Sequence, residues 1–211
     1  GGRKINIFSY NKDDKTYSRG NWGTQSQFTI PGAAAAVDGD LYILYAKNNK
    51  TNEYGYLVCQ TFTEGQTRTD VRVYYKWLDE NSNTPKGFAE GFTSENSFVL
   101  SKNSSAYSVM TLLANGKLGF AWEEGDMWYN IAYATLSLEE ITNNKYSLAF
   151  DSGIGSVDRP YVINTQEQLN AYFENGLYIS YCFWCFIFSS SQFIYIKIWI
   201  HNISCRINIV A

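Results

Sequence analysis

The chain has little of what many enzymes use for acid–base chemistry and of what nucleic-acid binding needs. It contains a single histidine, His201, among 211 residues, so a histidine base has only one candidate. Charged residues make up 18% of the chain and the formal net charge is -3, whereas nucleic-acid binding calls for a basic stripe or patch. We therefore expect no nucleic-acid partner.

Helical periodicity is also scarce, and only 3 residues are proline. No amphipathic helical pattern appears before Ser137–Ile141, which is about one helical turn long. Short alternating runs separated by turn residues predict strands instead, with Asn115-Gly116 as a tight hairpin turn. The predicted strands are Lys4–Tyr10, Ala33–Val37, Leu41–Ala46, Gly55–Phe62, Val71–Trp77, Tyr107–Leu113, Lys117–Trp122 and Tyr129–Leu136. This pattern predicts an all-β fold, and it fits a sandwich, a barrel or a propeller.

Aromatic residues, in contrast, are abundant. They make up 17% of the chain and include 17 tyrosines and 6 tryptophans. Such a composition is typical of β architecture and of sugar-binding surfaces, where aromatic faces contact the C–H groups of sugar rings.

Composition changes divide the chain into four predicted segments. We expect a β domain over 1–142, a linker over 143–156 and the start of an accessory α/β module over 157–180. In that module Thr165 and Gln168 have capping-box spacing for a short helix. The last segment, 181–211, is apolar and holds three of the four cysteines.

We expect the tail over 181–211 to be disordered or artefactual, because it resembles an AT-rich stretch read past a frameshift. Its apolar runs are interrupted too early for a membrane span of about 20 residues. Cys182 and Cys185 lack the surrounding pattern of a thioredoxin-like redox site. Ile194–Ile200 is an aggregation-prone β window.

The most informative motif is "YSVMTLLANGKLGFAWEE", residues 107–124, which is followed by an alternating strand and a leucine-containing segment. The stretch over 105–141 resembles the closing blade of the exo-sialidases. "GQTRTDVRVYYKW", residues 65–77, is similar to the preceding blade of that family, in which an arginine stands three residues before an alternating strand. Arg68 holds that position. "SYNKDDKTY", residues 9–17, resembles an Asp-box turn, which is a structural hairpin corner.

The resemblance implies a partial six-bladed β-propeller and a fragment of a retaining exo-sialidase that removes terminal sialic acids. It implies that Arg68 is one of three arginines that bind the substrate carboxylate, because guanidinium–carboxylate pairs are strong and orienting. It implies that Tyr107 is the nucleophile, since sialidases use tyrosine where most glycosidases use a carboxylate. Glu123 matches a glutamate that supports another arginine of the cluster.

Further expectations follow from the same resemblance. The acid–base aspartate, two arginines and the glutamate that activates the tyrosine lie earlier in such chains, so we expect this chain to be close to inactive alone. We expect sialylated glycans as partners, no cofactor, no metal, no protein partner, and a secreted or cell-surface location. The segment over 79–92 lengthens the loop between Arg68 and Tyr107 beyond the gap usual in the family.

Two other readings stay open. One is a non-catalytic carbohydrate-binding β domain whose tyrosines and tryptophans contact sugar rings. The other is a propeller without enzymatic activity that serves as an interaction scaffold.

Overall fold

The computed structural model describes residues 3–4, 9–11, 13–18, 27–28, 39–64, 68–128, 130–151, 161–174, 194–200 and 203–209. The strands are β1 (Arg3–Lys4), β2 (Ser9–Asn11), β3 (Thr16–Ser18), β4 (Gln27–Phe28), β5 (Leu41–Asn48), β6 (Tyr54–Glu64), β7 (Thr69–Trp77), β8 (Ser97–Ser101), β9 (Ser105–Leu112), β10 (Leu118–Glu124), β11 (Asn130–Leu136), β12 (Tyr146–Leu148), β13 (Tyr161–Ile163), β14 (Ile194–Ile200) and β15 (Ile203–Ile209). The helices are α1 (Pro85–Ala89), α2 (Leu138–Thr142) and α3 (Gln166–Glu174). The predicted all-β class is confirmed.

Two sheets account for most of the described strands. The larger has five strands in the order β12-β5-β6-β7-β8, in which β12 with β5, β6 with β7 and β7 with β8 pair antiparallel. The other has three strands in the order β11-β10-β9, so β9 and β11 are its end strands. β1 pairs with β4 and β2 pairs with β3, both antiparallel.

Most predicted strands that fall on described residues are confirmed, with ends within a few residues of the expected positions. The predicted strand at Ala33–Val37 lies outside the described residues. β8 and β12 were not predicted, because each is short and flanked by turn-forming residues. Within the segment predicted as a linker, 143–156, Tyr146–Leu148 forms β12 and pairs with β5.

The chain divides into two compact units, each assembled from separated stretches. The first comprises Gly1–Leu44, Tyr56–Met110 and Phe120–Ala134, and the second comprises Tyr45–Gly55, Thr111–Gly119 and Thr135–Ala211. The linear boundaries expected from the sequence stay predictions.

The core of the first unit explains why β7 is buried on both faces. Val71 and Val73 are buried on one face, and Tyr74, which lies on the other, is also fully buried. Tyr74 packs in one cluster with Phe92, which follows α1, and its ring meets the ring of Phe62 edge-on at 6.1 Å. The segment over 79–92 is therefore not only a lengthened loop: it folds as a 3₁₀ turn and α1 and covers the sheet.

A buried lysine holds α1 to this sheet. The Nζ of Lys76 donates to the carbonyls of Gly87 and Phe88, the latter at 3.0 Å. Burial lowers the pKa of Lys76, and the nearby carboxylates of Asp79 and Glu90 oppose that change. The carbonyl acceptors satisfy the ammonium where water is excluded.

The core of the second unit is built around aromatic rings. Tyr45, Phe150 and Tyr172 are buried with Ala149 and Ile163. The Tyr45 hydroxyl donates to the Ala171 carbonyl at 3.1 Å, which ties β5 to α3.

Both helices predicted at the sequence level are present in this unit. Ser137 and Glu140 form a reciprocal capping box at the start of α2. The predicted box of Thr165 and Gln168 is also confirmed, because each main-chain N–H donates to the other residue's side chain.

Part of the segment expected to be a disordered or artefactual tail, 194–200 and 203–209, is described as strands. β14 and β15 pair antiparallel from Ile194 with Ile209 to Ile200 with Ile203, and β13 pairs parallel with β15. The physical reason is the alternation of β-branched and polar residues, which favours strand pairing. Within the described ranges, none of the helices has the length and apolar character needed to cross a bilayer.

One prediction concerns Cys59, which lies in β6 with no exposed surface. Burial raises the pKa of its thiol to about 12. At pH 8 we expect iodoacetamide to leave the Cys59 peptide unmodified in the folded chain, because the reactive thiolate is only ~0.01% populated. Peptide mass spectrometry measures this, with the same chain in guanidinium as the control. Equal labelling of Cys59 with and without guanidinium would contradict the buried position.

Candidate functional site

Tyr107 lies on the open face of β9. Its neighbours Ala106 and Ser108 are buried, whereas Tyr107 is 48% exposed and Val109 is 54% exposed. This alternation follows from the two-residue period of a strand, which places successive side chains on opposite faces. The phenol is therefore accessible to a ligand and is not part of the apolar core.

Arg68 stands at the turn that leads into β7. Its backbone is left-handed, with φ of 55°, and Asp70 is left-handed as well, with φ of 54°. Such conformations are uncommon for residues other than glycine, and they gather at functional sites. The register between β6 and β7 also shifts at Thr63/Glu64, and that between β7 and β8 shifts at Val71/Arg72. Bulges of this kind re-aim side chains at the ends of strands.

A main-chain hydrogen bond brings Arg68 to the strand that carries Tyr107. The Ser105 N–H donates to the Arg68 carbonyl at 2.6 Å. The bonded residue, Ser105, precedes Tyr107 by two positions. Two residues 37 positions apart in sequence thus meet at the start of β9.

Two further polar contacts hold β9 in place. The Thr63 hydroxyl donates to the Ala106 carbonyl. The Met110 N–H donates to the Asp40 carboxylate at 2.9 Å. Asp40 is itself fixed to β6, because its N–H donates to the Thr61 hydroxyl and its carbonyl accepts from the Thr61 N–H, each at 2.9 Å.

The two glutamates at the end of β10 have different surroundings. Glu124 accepts hydrogen bonds from the Trp122 indole N–H at 2.6 Å and from the Asn103 amide. The Asn103 hydrogen bond is the main cause that holds the pKa of Glu124 below its usual value. Glu123 is half-buried, and among the described residues no hydrogen bond or ion pair reaches its carboxylate.

Glu124 therefore stabilises the end of the β9–β10 hairpin that lies opposite the Asn115-Gly116 turn. The Gly125 N–H donates to the Ser104 carbonyl at 2.8 Å, which closes the same end. Tyr107 and Glu123 lie just inside this closed end, one on each strand. Because Glu124 is already hydrogen-bonded, its neighbour Glu123 is the carboxylate that is available to bind another group.

The two arginines of the β7 segment are also distinguished by their surroundings. Arg72 pairs with Asp70 at 3.6 Å, and its Nη1 donates to the Ser97 hydroxyl at 3.2 Å. Arg72 is partly buried between the fully buried Val71 and Val73, and the strand alternation places it on the opposite side from them. Arg72 thus has a structural role, whereas within the described residues no carboxylate forms an ion pair with Arg68.

The structure brings the three predicted site residues into one unit without joining their side chains. Arg68, Tyr107 and Glu123 all belong to the first unit. In the described part of the chain, no hydrogen bond or ion pair links the guanidinium, the phenol and the carboxylate to one another. The same part holds no group of three or more His, Cys, Asp or Glu residues suited to a metal ion.

The turn between β2 and β3 is a hairpin corner, as its resemblance to an Asp-box implied. The Asp14 carboxylate accepts from the Thr16 hydroxyl at 2.5 Å and from the Thr16 N–H at 2.9 Å. The Thr16 hydroxyl is the first cause that lowers the pKa of Asp14. Asp13 donates its N–H to the Asn11 side chain at 3.0 Å, so both aspartates belong to the turn.

Several residues that position the site were not predicted. Asp40, Thr63 and Asn103 act through contacts with partners 21 to 70 residues away in the sequence. No local pattern marks such contacts. Only the turn residues at Asp38–Asp40 gave a signal, and that signal indicated a loop and not an anchor for β9.

We predict that Glu124 makes the stability of the chain depend on acid pH. Its folded pKa lies below the usual 4.5, so its stabilising effect is present at neutral pH and disappears as the pH falls through the folded pKa. We expect Glu124→Gln to lower the free energy of unfolding by about 0.5–1 kcal/mol at pH 7. The two proteins should converge towards pH 3 in urea titrations.

The matched control is Glu95→Gln, which changes an exposed glutamate in a 3₁₀ turn. It should leave the free energy of unfolding unchanged at both pH values. A difference between wild type and Glu124→Gln that persists unchanged down to pH 3 would contradict the role of the carboxylate charge.

Comparison with known proteins identifies no relative from which the function of this site could be inferred. A scan against protein-family models matches none of them, and a search of curated proteins finds no match.

Proposed function

We propose that this chain is part of a sialidase-type β-propeller and contributes two groups to a site for terminal sialic acids. Arg68 binds the substrate carboxylate and Tyr107 is the nucleophile. The observation that carries the proposal is the accessible phenol of Tyr107 on a strand whose first residue is hydrogen-bonded to Arg68. The motif resemblance over 105–141 supplies the reaction class.

The charge of the substrate explains the pairing of these two residue types. A sialic acid carries a carboxylate on its anomeric carbon, and a guanidinium grips such a group through two parallel N–H bonds. Because Arg72 is already paired with Asp70, Arg68 is the arginine of this segment that is available for an anion. An attacking carboxylate would be repelled by the substrate, whereas a tyrosine is neutral until its proton is removed.

In the proposed reaction the Tyr107 oxygen attacks the anomeric carbon as the bond to the leaving glycan breaks. The tyrosine proton passes to a base, and the leaving oxygen receives a proton from an acid. Water then attacks the tyrosyl–glycosyl bond, which gives retention of configuration over two displacements. The resemblance places the acid and the base in a segment that precedes the matched region. Glu123 supports an arginine of the carboxylate site.

We expect Arg68→Ala to weaken binding of 3′-sialyllactose at least about tenfold, because a charge-assisted bidentate pair is lost. Arg68→Lys should recover only part of that affinity, since an ammonium cannot pair in bidentate fashion. Isothermal titration or saturation-transfer NMR measures the change. Lys102→Ala, which removes an exposed cation near the start of β9, should leave binding unchanged.

The ligand offers a second control for the same experiment. The methyl ester of the sialoside lacks the carboxylate charge, so wild type and Arg68→Ala should bind it equally. If Arg68→Ala binds 3′-sialyllactose as tightly as the wild type, Arg68 does not recognise the carboxylate.

We expect Tyr107→Phe to separate binding from chemistry. The phenyl ring keeps the contact surface, so affinity for 3′-sialyllactose should stay within about twofold of the wild type. At pH 10 hydroxide takes the tyrosine proton in place of a protein base, so a 2,3-difluorosialic acid, whose fluoride leaves without protonation, should form an adduct on the peptide that contains Tyr107. Mass spectrometry should find no adduct in the variant. An adduct on another residue in the wild type would overturn the assignment of the nucleophile.

A second candidate function is supported by exposed apolar side chains in and before β11. Trp128 is 83% exposed, Ile131 is 73% exposed and Tyr133 is 64% exposed. A non-catalytic carbohydrate-binding β domain would use such groups as contacts for sugar rings. It would lose affinity with Trp128→Ala or Tyr133→Ala and would keep it with Arg68→Ala, which is the reverse of the sialidase-type outcome for Arg68.

A further inference from the structure

A cleft of about 550 Å³ lies within the second unit. Its lining includes Lys47, Tyr54, Lys117, Glu139 and Asp151. None of the three residues assigned to the sialidase-type site contributes to it. The volume is within the usual range for small-molecule sites, about 300–1,000 Å³.

The floor of the cleft is apolar and well supported. It is formed by Leu148, Ala149 and Phe150, which follow directly along the chain, and the last two are buried. The Phe150 ring packs against Tyr161 at 4.6 Å and against Tyr45 at 5.6 Å between ring centroids. Because these rings belong to the core of the second unit, the floor is preformed.

One wall presents an acceptor that is fixed in orientation. The Asp151 carboxylate accepts hydrogen bonds from the Gln168 amide at 3.0 Å and from the Asn164 amide. Gln168 is held in turn, because its side-chain oxygen accepts from the main-chain N–H of Asn164 at 2.8 Å and of Thr165 at 3.2 Å. Each Asp151 oxygen keeps a further lone pair, so the carboxylate is able to accept from a ligand as well.

The charges that line the cleft are mixed and nearly balanced. Lys47 and Lys117 are cationic, and Glu139, Asp151 and Glu167 are anionic. The Lys47 Nζ lies 5.8 Å from the centroid of the Tyr54 ring. The pKa of Glu167 is lowered first by a hydrogen bond from its own main chain, then by one from the Thr165 side chain, and last by the charge of Lys47. These five charges sum to -1, so the cleft offers no strong electrostatic attraction to a highly charged ligand of either sign.

We propose that this cleft binds a neutral oligosaccharide of about two or three sugar rings. Hydroxyl groups both donate and accept, so they match carboxylates and ammonium groups at once without adding a net charge. The apolar floor and the Tyr54 ring provide surface for the C–H faces of the sugar. This proposal concerns a separate site and does not depend on the sialidase-type function.

The test is a titration of the ¹⁵N-labelled chain with lactose, maltotriose and N,N′-diacetylchitobiose, followed by amide chemical shifts. We expect at least one of these sugars to shift the amides of Ser147–Asp151 and Thr165–Gln168 at up to about 20 mM ligand. If none of the three shifts these amides, the proposal is wrong. It is also wrong if 3′-sialyllactose or free lysine shifts them at lower concentration than the neutral sugars.

Variants test the contacts with the sugar that binds. We expect Tyr54→Ala to weaken its binding at least about fivefold, because contact surface is lost. Tyr56→Ala is the matched control, since it removes an exposed tyrosine from the same strand outside the cleft, and binding should stay within about twofold. Asp151→Asn retains side-chain size while removing the charge and one acceptor, and should weaken binding similarly. Wild-type affinity in both Tyr54→Ala and Asp151→Asn would overturn the assignment of the cleft.

The two proposals fail in different ways. If the sialidase-type assignment is wrong, Arg68→Ala will bind 3′-sialyllactose as tightly as the wild type. If the cleft proposal is wrong, the neutral sugars will not change the chemical shifts of the cleft amides. Arg68→Ala leaves those shifts unchanged.

Discussion

The candidate site depends on the hydrogen-bond partners of the β9 main chain, because β9 lies at the edge of its sheet. An end strand presents main-chain groups that need partners, and unpaired ones are costly or invite association with other strands. Here the Ser105 N–H, the Ala106 carbonyl and the Met110 N–H bond to Arg68, Thr63 and Asp40, none of which belongs to the three-stranded sheet. These bonds fix the strand that presents Tyr107 and at the same time fix the main chain of Arg68.

The local backbone at Arg68 and Asp70 is consistent with a positioned functional group. Each of these two left-handed residues, neither of which is glycine, costs about 1–2 kcal/mol. The hydrogen bond to Ser105 and the pairing of β7 with both its neighbours offset this cost. The Asp70–Arg72 ion pair also removes one arginine from competition for an anion. Glu124 similarly secures the hairpin, which leaves the adjacent Glu123 for another partner.

Local sequence patterns predicted the strands and the helix starts well, because their causes are local. The alternating runs of the predicted strands, the Asn115-Gly116 turn, and the capping-box spacing of Thr165 and Gln168 each act over a few residues. The burial of Tyr74 was missed, since it depends on α1 folding over the sheet from a segment that reads as a loop. The anchoring of β9 by Asp40 was missed because the two bonded residues, Asp40 and Met110, are 70 positions apart in the sequence. At the tail, composition suggested disorder, but the alternation in Ile194–Ile200 favoured strand pairing.

The central claim is that the guanidinium of Arg68 and the phenol of Tyr107 face one ligand. The most direct test is a crystal structure of the chain with 2-deoxy-2,3-didehydro-N-acetylneuraminic acid bound. The account predicts the ligand carboxylate within about 3 Å of the Arg68 guanidinium, with its ring carbon next to the carboxylate facing the Tyr107 oxygen. A ligand bound away from both residues, or an Arg68 guanidinium and a Tyr107 phenol that point to opposite faces, would contradict it.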